Sequence, residues 1–167
     1  MEREFKSADV AAAARRVAAA LKAHQVMLTE LDQAVGDGDL GVTAVKLAKA
    51  LEAAADQGDA DLGRFLAQTG MPLNRAAPST MGTLMATALM QAGKRMVGKE
   101  SLTATDLAQL LSAATEGVRT RGKANLGDKT LLDALQPASA AFAAALSEGK
   151  PLPRRSRGDG RCRARRA

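Results

Sequence analysis

The sequence predicts an all-α protein, and three features carry that expectation. Only 2% of the residues are aromatic, with no Trp or Tyr and three Phe, so Leu, Ala, Met and Val must supply the bulk of the core. Ala and Leu are strong helix formers, and closely packed helices are the natural outcome. Apolar residues recur at steps of three and four along most of the chain, whereas no stretch alternates with a period of two. At 167 residues, without an internal repeat, the chain reads as one domain large enough to bury a core.

Val10, Ala14, Val17, Leu21, His24, Leu28, Leu31 and Val35 form one long amphipathic stripe, with Ser7 or Asp9 as N-cap. His24 lies within that stripe and is read as structural. The stripe stops at Gly36-Asp37-Gly38-Asp39-Leu40-Gly41, where three glycines in six residues predict a tight loop. A second helix runs from Val42 to Ala55, and Asp56 to Asp59 make a turn. A third helix carries Leu62, Phe65, Leu66 and Thr69 and ends near Gly70. Two prolines break the segment from Pro72 to Thr80. Ser79-Thr80 then opens a helix with Met81, Leu84, Met85, Ala88, Leu89 and Met96, whose methionines read as core. Thr103 starts the next, with Asp106 three residues on in a capping-box arrangement, and it ends near Gly122. After the loop Lys123 to Asp128, a last helix carries Leu131, Leu132, Leu135, Phe142, Ala145 and Leu146, with Pro137 marking a kink or break. The sum is about six helices.

Charge divides the chain at residue 150. The formal net charge is +6, yet residues 151–167 hold seven Arg and one Asp, so the body is neutral with 17 basic and 17 acidic residues. A diffuse basic surface for nucleic acid is therefore not expected of the body. The expected division is a domain over 1–149 and an Arg-rich tail over 150–167 with almost nothing to bury, expected to be disordered. A tail of this composition could bind nucleic acid or another acidic surface in a salt-dependent way, but it offers no aromatic side chain for base stacking. Cys162 is the sole cysteine, which excludes a disulfide framework within one chain. No apolar run approaches the roughly 20 residues that span a bilayer. The charged start from Glu2 to Lys6 lacks a signal-peptide core, so a cytoplasmic setting without membrane contact is expected.

Three segments carry candidate chemistry. In Asp32-Gln33-Ala34-Val35-Gly36-Asp37-Gly38-Asp39, three carboxylates converge where a helix ends and a glycine loop turns back. Such clustering is unfavourable unless a cation offsets it, and hard oxygen donors without His or Cys point to Mg²⁺ or Ca²⁺ rather than zinc. The plain alternative is a polar turn, since Asp and Gly are common turn residues. An EF-hand is excluded by the missing third acidic position and closing Glu. A P-loop is excluded because Val42 stands where its Lys should be and a helix precedes the loop. The second segment is Ala77-Pro78-Ser79-Thr80-Met81-Gly82-Thr83, where free N–H groups and two hydroxyls at a helix start suit a phosphate or simply cap the helix. The third is Arg121-Gly122-Lys123-Ala124-Asn125-Leu126-Gly127-Asp128-Lys129-Thr130, a polar glycine loop in which Asp128 could also be the N-cap of the final helix.

In this order the segments resemble the dihydroxyacetone kinase L family. The first matches its Leu-Asp-x-x-x-Gly-Asp-Gly-Asp-x-Gly motif. The third, continued to Asp133-Ala134-Leu135-x-Pro137, matches its Arg-Gly-Lys-Ala-x-x-Gly-Asp-Lys-Thr-x-x-Asp-Ala-Leu-x-Pro motif. The resemblance covers roughly residues 5 to 148. It implies a barrel of antiparallel amphipathic helices with the nucleotide at one rim. It also implies that Asp32, Asp37 and Asp39 bind Mg²⁺ ions bridging the phosphates of ADP or ATP. Ser79, Thr80 and the backbone around Gly82 would line the phosphates, with Leu40 and Thr43 nearby, and the loop with Gly122, Gly127, Asp128, Lys129 and Thr130 would border the adenine. The implied activity is phosphoryl transfer to dihydroxyacetone or a similar short ketose held by a separate K subunit, with no protein nucleophile in this chain. A phosphotransferase-system M subunit is a further implied partner, and a homodimer or hetero-oligomer is expected.

Several positions depart from the family. Leu40 stands where it usually has His, and Thr43 where it often has Asn. Its Gly-Gly-Ala-Ser-Gly loop is here Arg75-Ala76-Ala77-Pro78-Ser79, which sets the register of Ser79 and Thr80 only to within a residue. Where members continue with two more helices and a Gly-Arg-x-x-Tyr, Asp-Pro-Gly-Ala ending, this chain has its Arg-rich tail. The expectation is a truncated or frame-shifted product, which leaves a non-catalytic nucleotide-binding or regulatory protein of the same fold as the alternative reading.

Overall fold

A computed structural model describes residues 4–150, and the expectations for the Arg-rich tail lie outside that span. The described chain contains helices α1 (Ser7–Ala23), α2 (Gln25–Gln33), α3 (Leu40–Gln57), α4 (Leu62–Ala76), α5 (Thr80–Met96), α6 (Ala104–Gly122) and α7 (Leu132–Ser147). Two short strands, β1 (Phe5–Lys6) and β2 (Ser101–Leu102), pair antiparallel with Phe5 opposite Leu102. The fold is all-α, as the sequence predicts.

The helices lie side by side in the order α1, α3, α4, α5, α6, α7, with α2 resting on α3. Short connections make neighbours antiparallel, and the side chains record it. Ser7 Oγ donates to the Asp59 carbonyl, Arg15 pairs with Asp56 at 2.8 Å and Lys22 with Glu52 at 2.5 Å, so α1 ascends as α3 descends. Between α4 and α5 the spacing is set by glycine. A Cβ on Gly93 would stand 2.5 Å from the Gly63 carbonyl oxygen, and one on Gly63 would collide with the backbone of Met96 and Val97. Two apolar clusters result. Ala18, Leu47, Ala48, Leu51, Leu73 and Ala77 join α1, α3 and α4, with Met81, Met85 and Leu89 of α5 against them. Leu62, Met96 and Leu102 form the second, beneath Phe5 and Val10.

Three boundaries differ from the sequence expectations. The first stripe is two helices, broken at His24, whose φ of −101° and ψ of 10° leave the helical region. The break swings α2 onto the first turn of α3, where Gly41 has no Cβ to collide with Thr29 Oγ1 and the Gln25 carbonyl. As a result Leu31 and Val35 are exposed, Val35 by 91%, rather than core. His24 is exposed too, and its role is local: the ring Nδ1 lies 2.8 Å from the Ala20 carbonyl oxygen.

The third helix does not end at Gly70 but runs through Pro72 to Ala76. A proline removes one hydrogen bond to the preceding turn, but Pro72 is exposed, and burial of Leu73 and Ala77 draws the last turn into the core. α7 likewise continues through the exposed Pro137 without a break. The start of α6 follows expectation. Thr103 Oγ1 accepts from the Asp106 N–H, and the Asp106 carboxylate accepts from the Thr103 N–H at 2.9 Å. Asp106 is only 6% exposed and also pairs with Lys99 at 2.8 Å.

Candidate functional site

The loop from Ala34 to Asp39 is built by the ends of two helices. α2 stops as the Gly36 N–H donates to the Asp32 carbonyl at 2.6 Å, and Gly38 then turns the chain at φ +79°, a conformation that glycine adopts without strain. Asp39 precedes α3 as its N-cap residue, but its side chain makes no capping bond. The Leu40 N–H instead donates to Asp32 Oδ2 at 3.1 Å, which aims that carboxylate across the loop. The Asp39 N–H donates to Asp37 Oδ1 at 3.3 Å.

These constraints bring Asp32, Asp37 and Asp39 together, with one carboxylate oxygen from each lying within 4.8 Å of the others. Asp32 is half-buried, while Asp37 and Asp39 are exposed. Among the described residues no Lys or Arg pairs with any of the three. The helix dipole at the start of α3 favours negative charge and relieves part of the repulsion, whereas Asp32 sits at the unfavourable end of α2. Unit charges about 4 Å apart still repel by about 1 kcal/mol even in water. Three oxygen donors, mostly open to solvent and without an ion-pair partner among the described residues, fit a hard divalent cation such as Mg²⁺.

The other predicted positions are placed as follows. Leu40 is the first residue of α3 and half-buried, and Thr43 is buried one turn on. Ser79 is the N-cap of α5, its Oγ accepting from the Gly82 N–H at 3.1 Å. The capping reading of that segment is thus realised, and the Gly82 N–H is already engaged. Thr80 and Met81, as the first helical residues, have N–H groups without an intrahelical acceptor. Thr83 Oγ1 donates to Asn74 Oδ1 at 3.0 Å and ties this turn to α4.

Gly122 closes α6, and the loop from Lys123 to Thr130 is exposed apart from Ala124. Asp128 is not the cap of α7. Its carboxylate accepts from the Asn125 N–H at 2.8 Å, within the loop. The loop's further anchor is Asp133 in the first turn of α7, which appears in the sequence motif but not among the predicted site residues. Its two oxygens accept from Gly127 N at 2.6 Å and Thr130 N at 2.7 Å, and these bonds hold its carboxyl below the usual carboxylate range. A separate cavity of about 1110 Å³ runs along α5 and α6, past Thr83, Thr87, Gln91, Glu116 and Arg121, and contains none of the three clustered aspartates.

Comparison with known proteins bears on the family and the fold. Residues 34–155 match the DAK2 domain model, a span that begins two residues after Asp32 and includes Asp37, Asp39 and both later segments. The chain is 33% identical over 112 residues to the Listeria innocua PEP-dependent dihydroxyacetone kinase 1, ADP-binding subunit DhaL, covering 66% of this chain and 56% of that protein. It is 35% identical over 111 residues to the Escherichia coli PEP-dependent dihydroxyacetone kinase ADP-binding subunit DhaL, covering 66% and 53%. It thus spans about half the length of these relatives. Among solved structures it superimposes on the dihydroxyacetone kinase of C. freundii in its native form with a TM-score of 0.70 and 27% identity, over 87% of this chain and 27% of that one. It also matches that enzyme in complex with AMP-PNP and Mg²⁺ with a TM-score of 0.69. With a domain match over well more than half its length, on the helical frame that carries the acidic loop, the chain belongs to the DAK2-domain family.

Proposed function

We propose that the protein is the nucleotide-binding component of a dihydroxyacetone kinase, working with a separate K subunit to phosphorylate dihydroxyacetone or a similar short ketose. The observation that carries this reading is the convergence of Asp32, Asp37 and Asp39 at the α2–α3 loop, without a protein cation among the described residues to offset them. Asp32, Asp37 and Asp39 are the residues proposed to hold Mg²⁺, which when bound neutralises charge on the nucleotide phosphates.

The chain's own residues supply position. The Leu40 N–H fixes Asp32, and the open N–H groups of Thr80 and Met81, with the hydroxyls of Ser79 and Thr80, are proposed to line the phosphates, since a helix start favours negative charge. Gly82 shapes the same turn, Leu40 and Thr43 flank the acidic loop, and Gly122, Gly127, Asp128, Lys129 and Thr130 are proposed to border the base. Phosphoryl transfer depends mainly on such positioning and charge stabilisation, so no nucleophile is required of this chain. The nucleotide-binding unit is proposed to be residues 1–149, with 150–167 as an appendage, acting in the cytoplasm as a homodimer or hetero-oligomer. Whether ATP serves directly, or ADP stays bound and is rephosphorylated by a phosphotransferase-system M subunit, is a choice between two donors with one site.

The test is a transfer assay with purified chain, a DAK-family K subunit, Mg²⁺, dihydroxyacetone and either ATP or the PEP-driven phosphotransferase proteins. Dihydroxyacetone phosphate formed only when this chain is present supports the reading. Nucleotide binding without transfer under both donor regimes would favour a regulatory nucleotide-binding protein of the same fold. The observation favouring that second reading is Leu40, an apolar side chain at the first position of α3 beside the acidic trio.

A further inference from the structure

We propose that Asp133 is a positioning residue that sets the conformation of the second half of the loop, Gly127 to Thr130, for the nucleoside, an inference that rests on the nucleotide-binding reading above. The first half of the loop is held by the Asn125 N–H on the Asp128 carboxylate and by the Lys123 N–H on the Arg119 carbonyl, and its side chains bury little. Leu126 is 55% exposed, and among residues 122–130 only Ala124 is even half-buried. Its path is also unfavourable for side chains, because Lys123 and Lys129 take positive φ of 51° and 57° alongside Gly127 at 96°. A non-glycine residue in that region is destabilised relative to the right-handed one, so the path persists only where other bonds impose it.

Around Lys129, Asp133 supplies those bonds, whereas Lys123 is the left-handed C-cap of α6 with its N–H on the Arg119 carbonyl. Its Oδ2 accepts from Thr130 N at 2.7 Å, which is the reciprocal half of a capping arrangement in which Thr130 Oγ1 accepts from Leu132 N at 3.2 Å. A cap alone would stop there. The second oxygen reaches three residues further back to Gly127 N at 2.6 Å, so one carboxylate spans Gly127 to Thr130 and encloses the left-handed Lys129. Both bonds are short and charge-assisted, the stronger class of hydrogen bond. The half-buried Asp133 is in turn anchored by its neighbour Leu132, which is 1% exposed, on a helix that packs against α6. The shape of Gly127 to Thr130 is therefore transmitted from the first turn of α7, where Leu132 is buried, through the Asp133 side chain. Asp133 need not touch the nucleotide; it determines whether Gly127, Lys129 and Thr130 present a formed surface to it.

The test separates the nucleoside from its phosphates. Calorimetric titrations of Mg·ADP and Mg·pyrophosphate are made on the full chain and on Asp133→Asn and Asp133→Ala, with thermal unfolding and amide exchange at Gly127 and Thr130 followed in parallel. Asp133→Asn preserves volume and one acceptor oxygen and so keeps the chain folded. The expected result is roughly a tenfold loss of Mg·ADP affinity, the size of one charged hydrogen-bond network disturbed. Mg·pyrophosphate affinity should stay unchanged within about twofold because the acidic trio is untouched, and exchange at the two amides should quicken. Equal losses for both ligands, or an unchanged Mg·ADP affinity in both variants, overturns the positioning role and leaves Asp133 as a helix cap. A wild-type chain that binds pyrophosphate but not ADP overturns it as well, while one that binds neither removes the nucleotide reading itself.

Discussion

The backbone N–H of Leu40 donates to Asp32 Oδ2 at 3.1 Å, so the last turn of α2 and the first turn of α3 are clasped over the loop that carries Asp37 and Asp39. One carboxylate thereby both closes the loop and contributes to the acidic cluster. The two roles separate by substitution. Asn at position 32 keeps an acceptor for Leu40, whereas Ala does not. Both substitutions remove the charge repulsion, so in urea denaturation without metal Asp32→Ala is expected to lie about 1 kcal/mol below Asp32→Asn, the difference being the bond to Leu40. Equal stability of the two variants would show that the clasp contributes nothing.

Charge repulsion gives a prediction of opposite sign at the neighbouring position. Asp37 is exposed and lies within 4.8 Å of two other carboxylates. Asp37→Asn should raise the stability of the metal-free protein by roughly 0.5–1 kcal/mol, read as a higher midpoint in thermal unfolding. Millimolar Mg²⁺ should then stabilise the wild type more than the variant, because a cation that binds only the folded state stabilises by mass action. Destabilisation of the metal-free variant would mean that Asp37 is held by attractive contacts instead.

The start of α6 should control acid stability. Lys99 first, then the Thr103 backbone and hydroxyl, hold the Asp106 carboxyl below its ordinary value. The folded state therefore binds this proton less readily than the unfolded chain. The stabilisation is complete above the ordinary carboxylate range near 3.9 and is lost as pH falls through it toward the lower folded value. Asp106→Asn should make the stability profile shallower between about pH 5 and pH 2. At neutral pH the same substitution should cost about 2 kcal/mol through the ion pair and the cap. Urea titrations across that pH range check both, and an unchanged acid limb would contradict the assignment.

Much of this frame was legible in the sequence, and the parts that were not share a physical cause. Thr103 and Asp106 announce a capping box because both partners lie within four residues. The acidic loop is equally local, since glycines and carboxylates converge whatever surrounds them. The break at His24 is not local. The apolar spacing from Val10 to Val35 is that of one helix, and only the close approach of Gly41 to Gln25 and Thr29, 12–16 residues away, requires two. Pro72 misleads in the reverse sense, because burial of Leu73 outweighs the bond the proline removes. The pairing of Phe5 with Leu102 joins segments almost a hundred residues apart and leaves no trace in either. Within the site, Asp133 reads as part of a motif, yet its reach back to Gly127 is a property of the folded loop.

Glycine packing between α4 and α5 supplies a further test. A methyl group on Gly93 would stand 2.8 Å from the Ala67 Cβ and 2.5 Å from the Gly63 carbonyl oxygen. The backbone cannot yield there without separating the helices, so Gly93→Ala should destabilise by about 2 kcal/mol. Gly58→Ala is not an equivalent control, since its positive φ of 61° adds strain of its own although nothing crowds it. Chemical denaturation of Gly93→Ala against wild type reads the effect, and a neutral result would mean the two helices are less closely apposed than described.

The measurement that bears most directly on the central claim is calorimetric titration of ADP and ATP into the wild type and Asp37→Ala, each with and without Mg²⁺. Binding that requires Mg²⁺ and weakens at least tenfold in Asp37→Ala, a loss of about 1.4 kcal/mol, is the expected result. Nucleotide binding that is indifferent to Mg²⁺ and to Asp37, or no binding by a folded wild-type chain, would contradict the assignment of the acidic loop as the metal and phosphate site.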